Sequence, residues 1–574
     1  MISLPSFNEL KKASKHNHSG KGVRVALLGD TPTQLLGQAI KGYAVHSGLE
    51  MCYWEADFNQ IELQINNPDS ELFHFRPDFI ILFLSSEKQL QKFYKTPLNH
   101  RTVFAETCCN EVKLLVNQIT TRTDARVVLY SFYEIDDAVY GNFAFKTDSS
   151  FINQIRKLNL LLATYAQGEK QLLIADVARD YYTMGSQLAF APNVYIQSGF
   201  VWSIDFLPYA AKRIIDIIQT QQGLIRKCLI LDLDDTLWGG TVGDDGWQNL
   251  QLGDLGTGKA FTQLQLWIKE LQMRGVIICI CSKNDDQVAR EVFTKHPEMI
   301  LREEDITLFI ANWGNKVDNI TAIKETLNIS YSSIVFIDNS PFERNMVRSQ
   351  IPELLVPELP EDPALYLGYL QQLNLFDTSA ITDEDLNRTQ QYKAEALRID
   401  NIKHYANETE YLRNLNMVAR TEVFNAYNIP RVAQLTQRSN QFNLRTIRYS
   451  EAELISISSR SDYITFAVNL KDKFGDYGLI SVMIIRVDKD ECFIDNWIMS
   501  CRVLKRGVEQ FIMNSLIDKL KRLGIKKISA EYIPTKKNGL IKNLLSEMQF
   551  HKEAEMYSLE IVNYKNAPTE INPE

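Results

Sequence analysis

Cysteine is scarce: the chain of 574 residues holds eight, scattered and without a Cys-x-x-Cys pair. That excludes a disulfide scaffold, argues against a zinc site, and fits reduced thiols in a cytoplasmic protein. Positive charge is not in excess either. The net charge of −9 excludes the broadly basic face that general nucleic-acid binding needs to neutralise phosphates, so no nucleic-acid partner is expected. No apolar run approaches the roughly 18 residues of a membrane-spanning helix, so no membrane partner is expected. The first residues, MISLPSFNELKKASKHNHSGKG, lack the apolar centre of a signal peptide because Lys11, Lys12 and Lys15 interrupt them. Residues 1–22 are expected to be a flexible N-terminus, and NAPTEINPE at 566–574 a disordered tail. Low-complexity tracts and fixed-period repeats are missing too.

What is present points to several domains, since 574 residues exceed one core. Hydrophobic content of 45% and charged content of 23% are ordinary for a globular protein. Short apolar runs at 23–28, 79–84 and 126–130 alternate with helical patterns, which predicts a parallel α/β sheet over 23–222. A second α/β unit over 223–375 has strands at 228–233, 276–281, 307–310 and 333–337, with an amphipathic helix at 261–273 among its helices. Pro352, Pro357, Pro360 and Pro363 then mark a boundary. A polar helical connector is expected at 376–415. The texture changes after it, over 416–565. Antiparallel strands at 463–470, 479–487 and 491–499 lead into a helix at 508–523 that Gly524 ends, and then a strand at 527–532.

The stretch KCLILDLDDTLWGG raises the chemical question. A buried strand, Cys228–Leu231, runs into Asp232, Asp234 and Asp235. Buried charge must be paired or metal-bound. Parallel sheets present functional groups at the carboxyl ends of their strands. Ser282 follows the second strand of this unit and Asp338 the last, while Lys316 stands on the loop or helix start before that last strand. Asp232 and Asp338 are oxygen donors suited to Mg²⁺. Asp232 can also attack phosphorus. Asp234 can protonate a leaving oxygen and then deprotonate water, because neighbouring carboxylates raise one another's pKa. Ser282 and Lys316 can hold phosphoryl oxygens. The competing readings are plain: a strand-end turn, a helix N-cap at Ser282, and a solvated Lys316.

Asp232-Leu233-Asp234-Asp235-Thr236 matches the DxDxT signature of the haloacid dehalogenase superfamily, and Ser282, Lys316 and Asp338 match its later motifs in order. The longer strings LDLDDTLWGGTVGDDG, CSKND and FIDNSPFERNMV resemble the FkbH-like branch, of subfamily IIIC type. The resemblance implies Asp232 as nucleophile, Asp234 as general acid/base, and Mg²⁺ held by Asp232, Asp338 and the Asp234 backbone carbonyl. It puts Thr236, Asn284 and Arg344 at the substrate. One departure is Asn339, where a second acid often follows the fourth-motif aspartate; the amide weakens the negative field on the metal.

The strings QLTQRSNQFNLRTIRY, KDKFGDYGLI, SCRVLKRGVEQ and IPTKKN resemble the same branch, whose last third is similar to GNAT acyltransferases. Arg502, Lys505, Arg506 and Gly507 precede the helix at 508–523, where backbone N–H groups can hold a pyrophosphate or a phosphopantetheine arm. Only one glycine is present there, which counts against turnover of acetyl coenzyme A. Cys501, beside Arg502, is a candidate acyl acceptor; its bland reading is a small buried hydrophobe. The FGDYG segment can be a hairpin loop, and Asn440, Gln441 and Asn443 can serve buried backbone groups. The N-terminal unit is similar in outline to SGNH hydrolases, but Thr31 stands at the nucleophile position. Asp205 is followed by Pro208 where a histidine would stand, so a non-catalytic scaffold is expected.

The fold implied is a Rossmann-like haloacid dehalogenase core between an SGNH-like α/β domain and a GNAT-like α+β domain. The implied function is dephosphorylation of a phosphorylated three-carbon acid like 1,3-bisphosphoglycerate, and loading of its glyceryl unit on an acyl carrier protein thiol. The alternatives are a plain small-molecule phosphatase, a non-catalytic protein that docks carrier domains, and a genuine acyl-coenzyme A transferase.

Overall fold

The computed structural model describes residues 4–15, 22–378, 381, 392–394, 398, 405, 407–439, 441–504, 506–535, 537–553 and 555–574. The chain divides into two compact units, over residues 3–220 and 221–574. Among the described residues no helix is long and apolar enough to cross a membrane.

The first unit holds β1 (Val23–Gly29), β2 (Met51–Glu55), β3 (Phe79–Phe83), β4 (Arg126–Tyr130) and β5 (Leu172–Ala175), all parallel, in the order β2-β1-β3-β4-β5. Successive side chains of a strand point to opposite faces. Val25, Leu27, Ile81 and Val128 therefore enter one core, and Ala26, Leu28, Ile80, Leu82, Val127 and Leu129 the other. Burial on both faces is why β1, β3 and β4 read as continuous apolar runs.

The expected flexible N-terminus is corrected at residues 7–14, which form the helix Phe7–Ser14. Ser6 and Glu9 cap it reciprocally: the Ser6 N–H donates to the Glu9 carboxylate at 2.7 Å, and the Glu9 N–H to Ser6 Oγ at 3.3 Å. Phe7 and Leu10 are buried in the core, while Lys11 and Lys12 face outward. The lysines that broke the apolar run are thus the solvent face of an amphipathic helix.

The second unit begins with a four-stranded parallel sheet, β6 (Cys228–Leu231), β7 (Ile277–Ser282), β8 (Ile306–Ala311) and β9 (Ile334–Ile337), in the order β8-β7-β6-β9. Leu229, Leu231, Ile278 and Ile280 pack with Phe261, Leu264 and Ile268 of the helix Gly258–Met273. On the other face Ile230, Cys279 and Phe336 pack with Ile320 and Ile323 of the helix Lys316–Leu327. This is a Rossmann-like core covered on both sides. β6 stops where its apolar run does, two residues short of the strand expected at 228–233. The Asp232 N–H still pairs with the Ile337 carbonyl at 3.0 Å, but Asp235 turns the chain at φ +50°.

The rest of this unit is an eight-stranded mixed sheet in the order β15-β16-β14-β13-β12-β11-β10-β17. Its strands are β10 (Val418–Glu422), β11 (Tyr463–Asp472), β12 (Gly475–Asp488), β13 (Glu491–Met499), β14 (Lys527–Glu531), β15 (His551–Glu553), β16 (Met556–Glu560) and β17 (Asn572–Pro573). Neighbours are antiparallel except β13–β14 and β10–β17. The helix Val508–Arg522 connects β13 to β14. Most of the expected connector at 376–415 lies outside the described residues; the helix Glu408–Asn414 is within them.

The expected disordered tail is a second correction. Asn572 and Pro573 pair with Val418 and Ala419. Ile571 is buried in the core of the mixed sheet, and Asn514 holds Ala567 through both backbone groups, at 2.9 and 3.0 Å. A polar composition gave no sign of this because a single buried isoleucine and an open sheet edge anchor the segment.

Candidate active site

Strands β6, β7 and β9 lie side by side, so the residues that follow them meet at one edge of the sheet. Lys316 is the first residue of its helix, which Asn315 caps by accepting the Val317 N–H. Its buried ammonium lies 2.9 Å from Asp232 Oδ1 and 2.6 Å from Asp338 Oδ2. Asp338 Oδ1 accepts the Ser340 N–H at 2.8 Å. The other oxygen of Asp232 faces no protein donor among the described residues. The structure thus brings Asp232, Lys316 and Asp338 together.

Asp234 is held apart from that triad by three donors. Its Oδ1 accepts the Trp238 indole N–H at 2.9 Å and the Val242 N–H at 3.0 Å. Its Oδ2 accepts from Asn284 Nδ2 at 2.9 Å. Asn284 also reaches Ser282 Oγ, at 3.2 Å, so it ties the first motif to the second.

Three residues expected at the substrate are buried and bonded within the motif loops. Thr236 is fully buried, and its hydroxyl accepts the Asn339 N–H at 3.1 Å, which locks the first motif to the fourth. Arg344 is buried; its Nη1 donates to the carbonyls of Asp338 and Asn339, each at 2.7 Å, and its Nη2 pairs with Glu358. It braces the fourth-motif loop from within. Asn284 is buried too, as the link just described. Spacing told which loop each belongs to, but not where its side chain turns.

The sequence reading missed Trp238. Its large indole is fully buried, and a buried indole N–H needs an acceptor. A tryptophan four residues beyond an acidic motif, just before a glycine pair, was the available signal.

The electrostatics show a surplus of negative charge. Burial raises the Asp338 carboxyl, and the Asp232 charge adds to this against the pull of Lys316. Burial opposes the charge of Lys316, yet Asp232 and Asp338 outweigh it and hold the ammonium above its ordinary value. The two partners shift unequally because one lysine serves two carboxylates. Burial also raises Asp234, against the hydrogen bonds from Val242, Asn284 and Trp238. A divalent cation fits such a site: Asp232 keeps an oxygen without a donor, and one lysine does not neutralise both acids. Among the described residues no group of three or more His, Cys, Asp or Glu forms a metal cage. Two carboxylates completed by water are what Mg²⁺ takes.

Residues 24–219 match the family model for the FkbH N-terminal domain. Among solved structures, the N-terminal part of the protein BF1531 from Bacteroides fragilis, described as containing a phosphatase domain complexed with Mg, is 46% identical. The match covers 66% of this chain and 100% of that one, with a TM-score of 0.63. The chain belongs to the family of BF1531. No curated protein matches it. The ribosomal-protein-S18-alanine N-acetyltransferase from Escherichia coli matches 25% of this chain over 94% of its own, at 16% identity and a TM-score of 0.21. The PaiA N-acetyltransferase from Thermoplasma acidophilum, in complex with coenzyme A, matches 25% over 98% at 10% identity and 0.20. Likeness at that level carries no argument.

Outside the BF1531-like site, the other candidate residues fall as follows. Lys505 and Asn440 lie outside the described residues, and so does the Cys501 side chain. Arg502 and Arg506 are buried. Arg502 donates to Ser500 Oγ at 3.2 Å and to the Tyr477 carbonyl at 3.3 Å, and Arg506 bonds the Tyr477 hydroxyl. Both guanidiniums bond within the fold. The Gly507 carbonyl accepts the Thr569 hydroxyl at 3.0 Å, so the tail lies against the helix start. Asn443 serves the backbone, accepting the Thr446 N–H at 2.8 Å. FGDYG is mostly strand: only Phe474 lies in the β11–β12 turn, where Asp472 accepts its N–H at 2.8 Å, and Gly475–Gly478 open β12. In the first unit, both Asp30 oxygens accept the Ser85 N–H, at 3.0 and 3.1 Å. Burial raises Asp30 to about 6. Thr31 is buried and Asp205 exposed.

Proposed function

We propose that this is a cytoplasmic, magnesium-dependent phosphatase of the haloacid dehalogenase type. It hydrolyses the phosphate ester of a phosphorylated three-carbon acid like 1,3-bisphosphoglycerate; an acyl carrier protein thiol attacks the acyl carbon, the bond from that carbon to the acyl phosphate oxygen breaks, and inorganic phosphate leaves as the glyceryl thioester forms. One observation carries the phosphatase part: Asp232 and Asp338, at adjacent strand ends, share Lys316 while Asp232 keeps one oxygen without a donor. The relative BF1531, with a phosphatase domain complexed with Mg, supports it.

The unpaired Asp232 oxygen attacks phosphorus. Lys316 and the Ser282 hydroxyl hold the phosphoryl oxygens. Asp234 gives a proton to the leaving oxygen, then takes one from the water that hydrolyses the phosphoaspartate. Mg²⁺, held by the Asp232 and Asp338 carboxylates and the Asp234 carbonyl, would offset phosphoryl charge. Asn339 bonds to Thr236 and leaves Asp338 as the fourth-motif acid, which retunes the metal site without removing it. Phosphate-ester hydrolysis demands roughly 20 kcal/mol of barrier lowering, so these effects must combine.

The buried, internally bonded Arg502 and Arg506 favour a plain phosphatase as the second reading. Incubation with the acyl phosphate and a carrier protein separates the two. The expected outcome is release of the ester phosphate and a carrier mass increased by one glyceryl unit, both lost in Asp232→Asn. Phosphate without the adduct leaves the plain phosphatase. Neither product from the unaltered chain would leave a non-catalytic docking protein.

A further inference from the structure

We propose that Trp238 is a positioning residue, which with the Val242 N–H grips Asp234 by Oδ1 and so turns Oδ2 toward the leaving group. The inference rests on the phosphatase reading above.

Trp238 is 0% exposed, and its indole packs at 6.0 Å from the Phe293 ring, centroid to centroid. Its N–H donates to Asp234 Oδ1 at 2.9 Å, and the Val242 N–H reaches the same atom at 3.0 Å. A carboxylate oxygen offers two lone-pair sites, so these donors fill Oδ1. Oδ2 has one partner, Asn284 Nδ2, which also contacts Ser282 Oγ. Ser282 ends β7, the direct neighbour of β6, so Oδ2 faces the strand ends where Asp232 stands. Both sides of the grip are local. Trp238 and Val242 lie four and eight residues beyond Asp234, and the turn at Asp235, whose carboxylate accepts the Gly240 N–H at 2.9 Å, brings them back.

The roles divide between the two oxygens. As the bond from Asp232 oxygen to phosphorus forms and the bond from phosphorus to the leaving oxygen breaks, the Oδ2 proton passes to that oxygen. Water then bonds to phosphorus and gives its proton to Oδ2. The bond from phosphorus to Asp232 breaks and inorganic phosphate departs.

A positioning role is separable from a packing role by the leaving group. An alkoxide needs a proton to depart; a dinitrophenolate does not. The full-length chain with magnesium is compared on an alkyl phosphate and on 2,4-dinitrophenyl phosphate, for the parent, for Trp238→Phe, and with benzothienylalanine at position 238. The last keeps the shape of the indole and lacks its N–H. The expected result for both changes is a kcat/KM lower by roughly 100-fold on the alkyl ester but by less than about threefold on the dinitrophenyl ester. Equal losses on both esters, or no loss with benzothienylalanine, overturn the assignment. A parent that cleaves neither ester overturns the phosphatase reading itself, and the inference with it.

Discussion

Glu87 is a carboxylic acid in the wrong surroundings for its charge. It is 7% exposed, its hydrogen-bond donor is the Tyr133 hydroxyl, and no cation pairs with it among the described residues. Burial raises it from 4.5 to about 7, and the nearby Asp30 adds to the shift against the Tyr133 bond. The folded chain therefore keeps a proton that the unfolded chain has shed. Stability of the first unit should fall as pH rises from about 4.5 to about 7 and level off above, because over that window the native state binds more protons. The full effect is about 3 kcal/mol. Denaturant unfolding at pH 5 and pH 8 measures it, and Glu87→Gln should remove most of the difference. Asp30, raised to about 6, leaves a smaller slope of the same sign. A parent chain equally stable at both pH values would show that Glu87 is ionised in the fold.

At the scale of elements, legibility follows burial. β1, β3, β4, β6 and β7 were readable because interior parallel strands are apolar throughout, and β9, at an edge, because all four of its residues are apolar and buried. β2 and β5 escaped notice. They are the edges of their sheet, half-buried with no clear alternation, so their sequence carries no period. Asp232, Asp234, Ser282, Lys316 and Asp338 were legible because each follows a strand or opens a helix. The inward turn of Thr236 and Arg344 was not, since Thr236 turns to the Asn339 N–H of the fourth-motif loop, and Arg344 turns back on the Asp338 and Asn339 carbonyls. The tail is the extreme case. β17 pairs with a strand more than 150 residues earlier in the chain, and Arg413 reaches Glu570 at 3.0 Å. Removing residues 566–574 takes away the buried Ile571 side chain, a loss of roughly 1.5–3 kcal/mol, and leaves β10 as an open edge. Thermal melting of the truncated chain should show a lower midpoint for the second unit. An unchanged midpoint would mean that the tail adds nothing to the sheet it lies on.

The whole molecule joins two units with separate cores, and the proposed metal site lies wholly in the second, on Asp232 and Asp338. A ligand that binds only the native form of one unit stabilises that unit, by about 2.7 kcal/mol at a hundredfold excess over Kd. For a unit spanning residues 221–574 that is a rise in midpoint of about 4 °C. Calorimetry of the full chain should therefore show two transitions, of which magnesium raises one. Glu87→Gln identifies the other, because it alters the first unit alone. Asp232→Asn should abolish the magnesium shift while leaving the first transition in place, since it removes a carboxylate ligand and keeps the size of the side chain. If magnesium raised both transitions together, or still raised the second in Asp232→Asn, the ion would be binding somewhere other than the ends of β6 and β9.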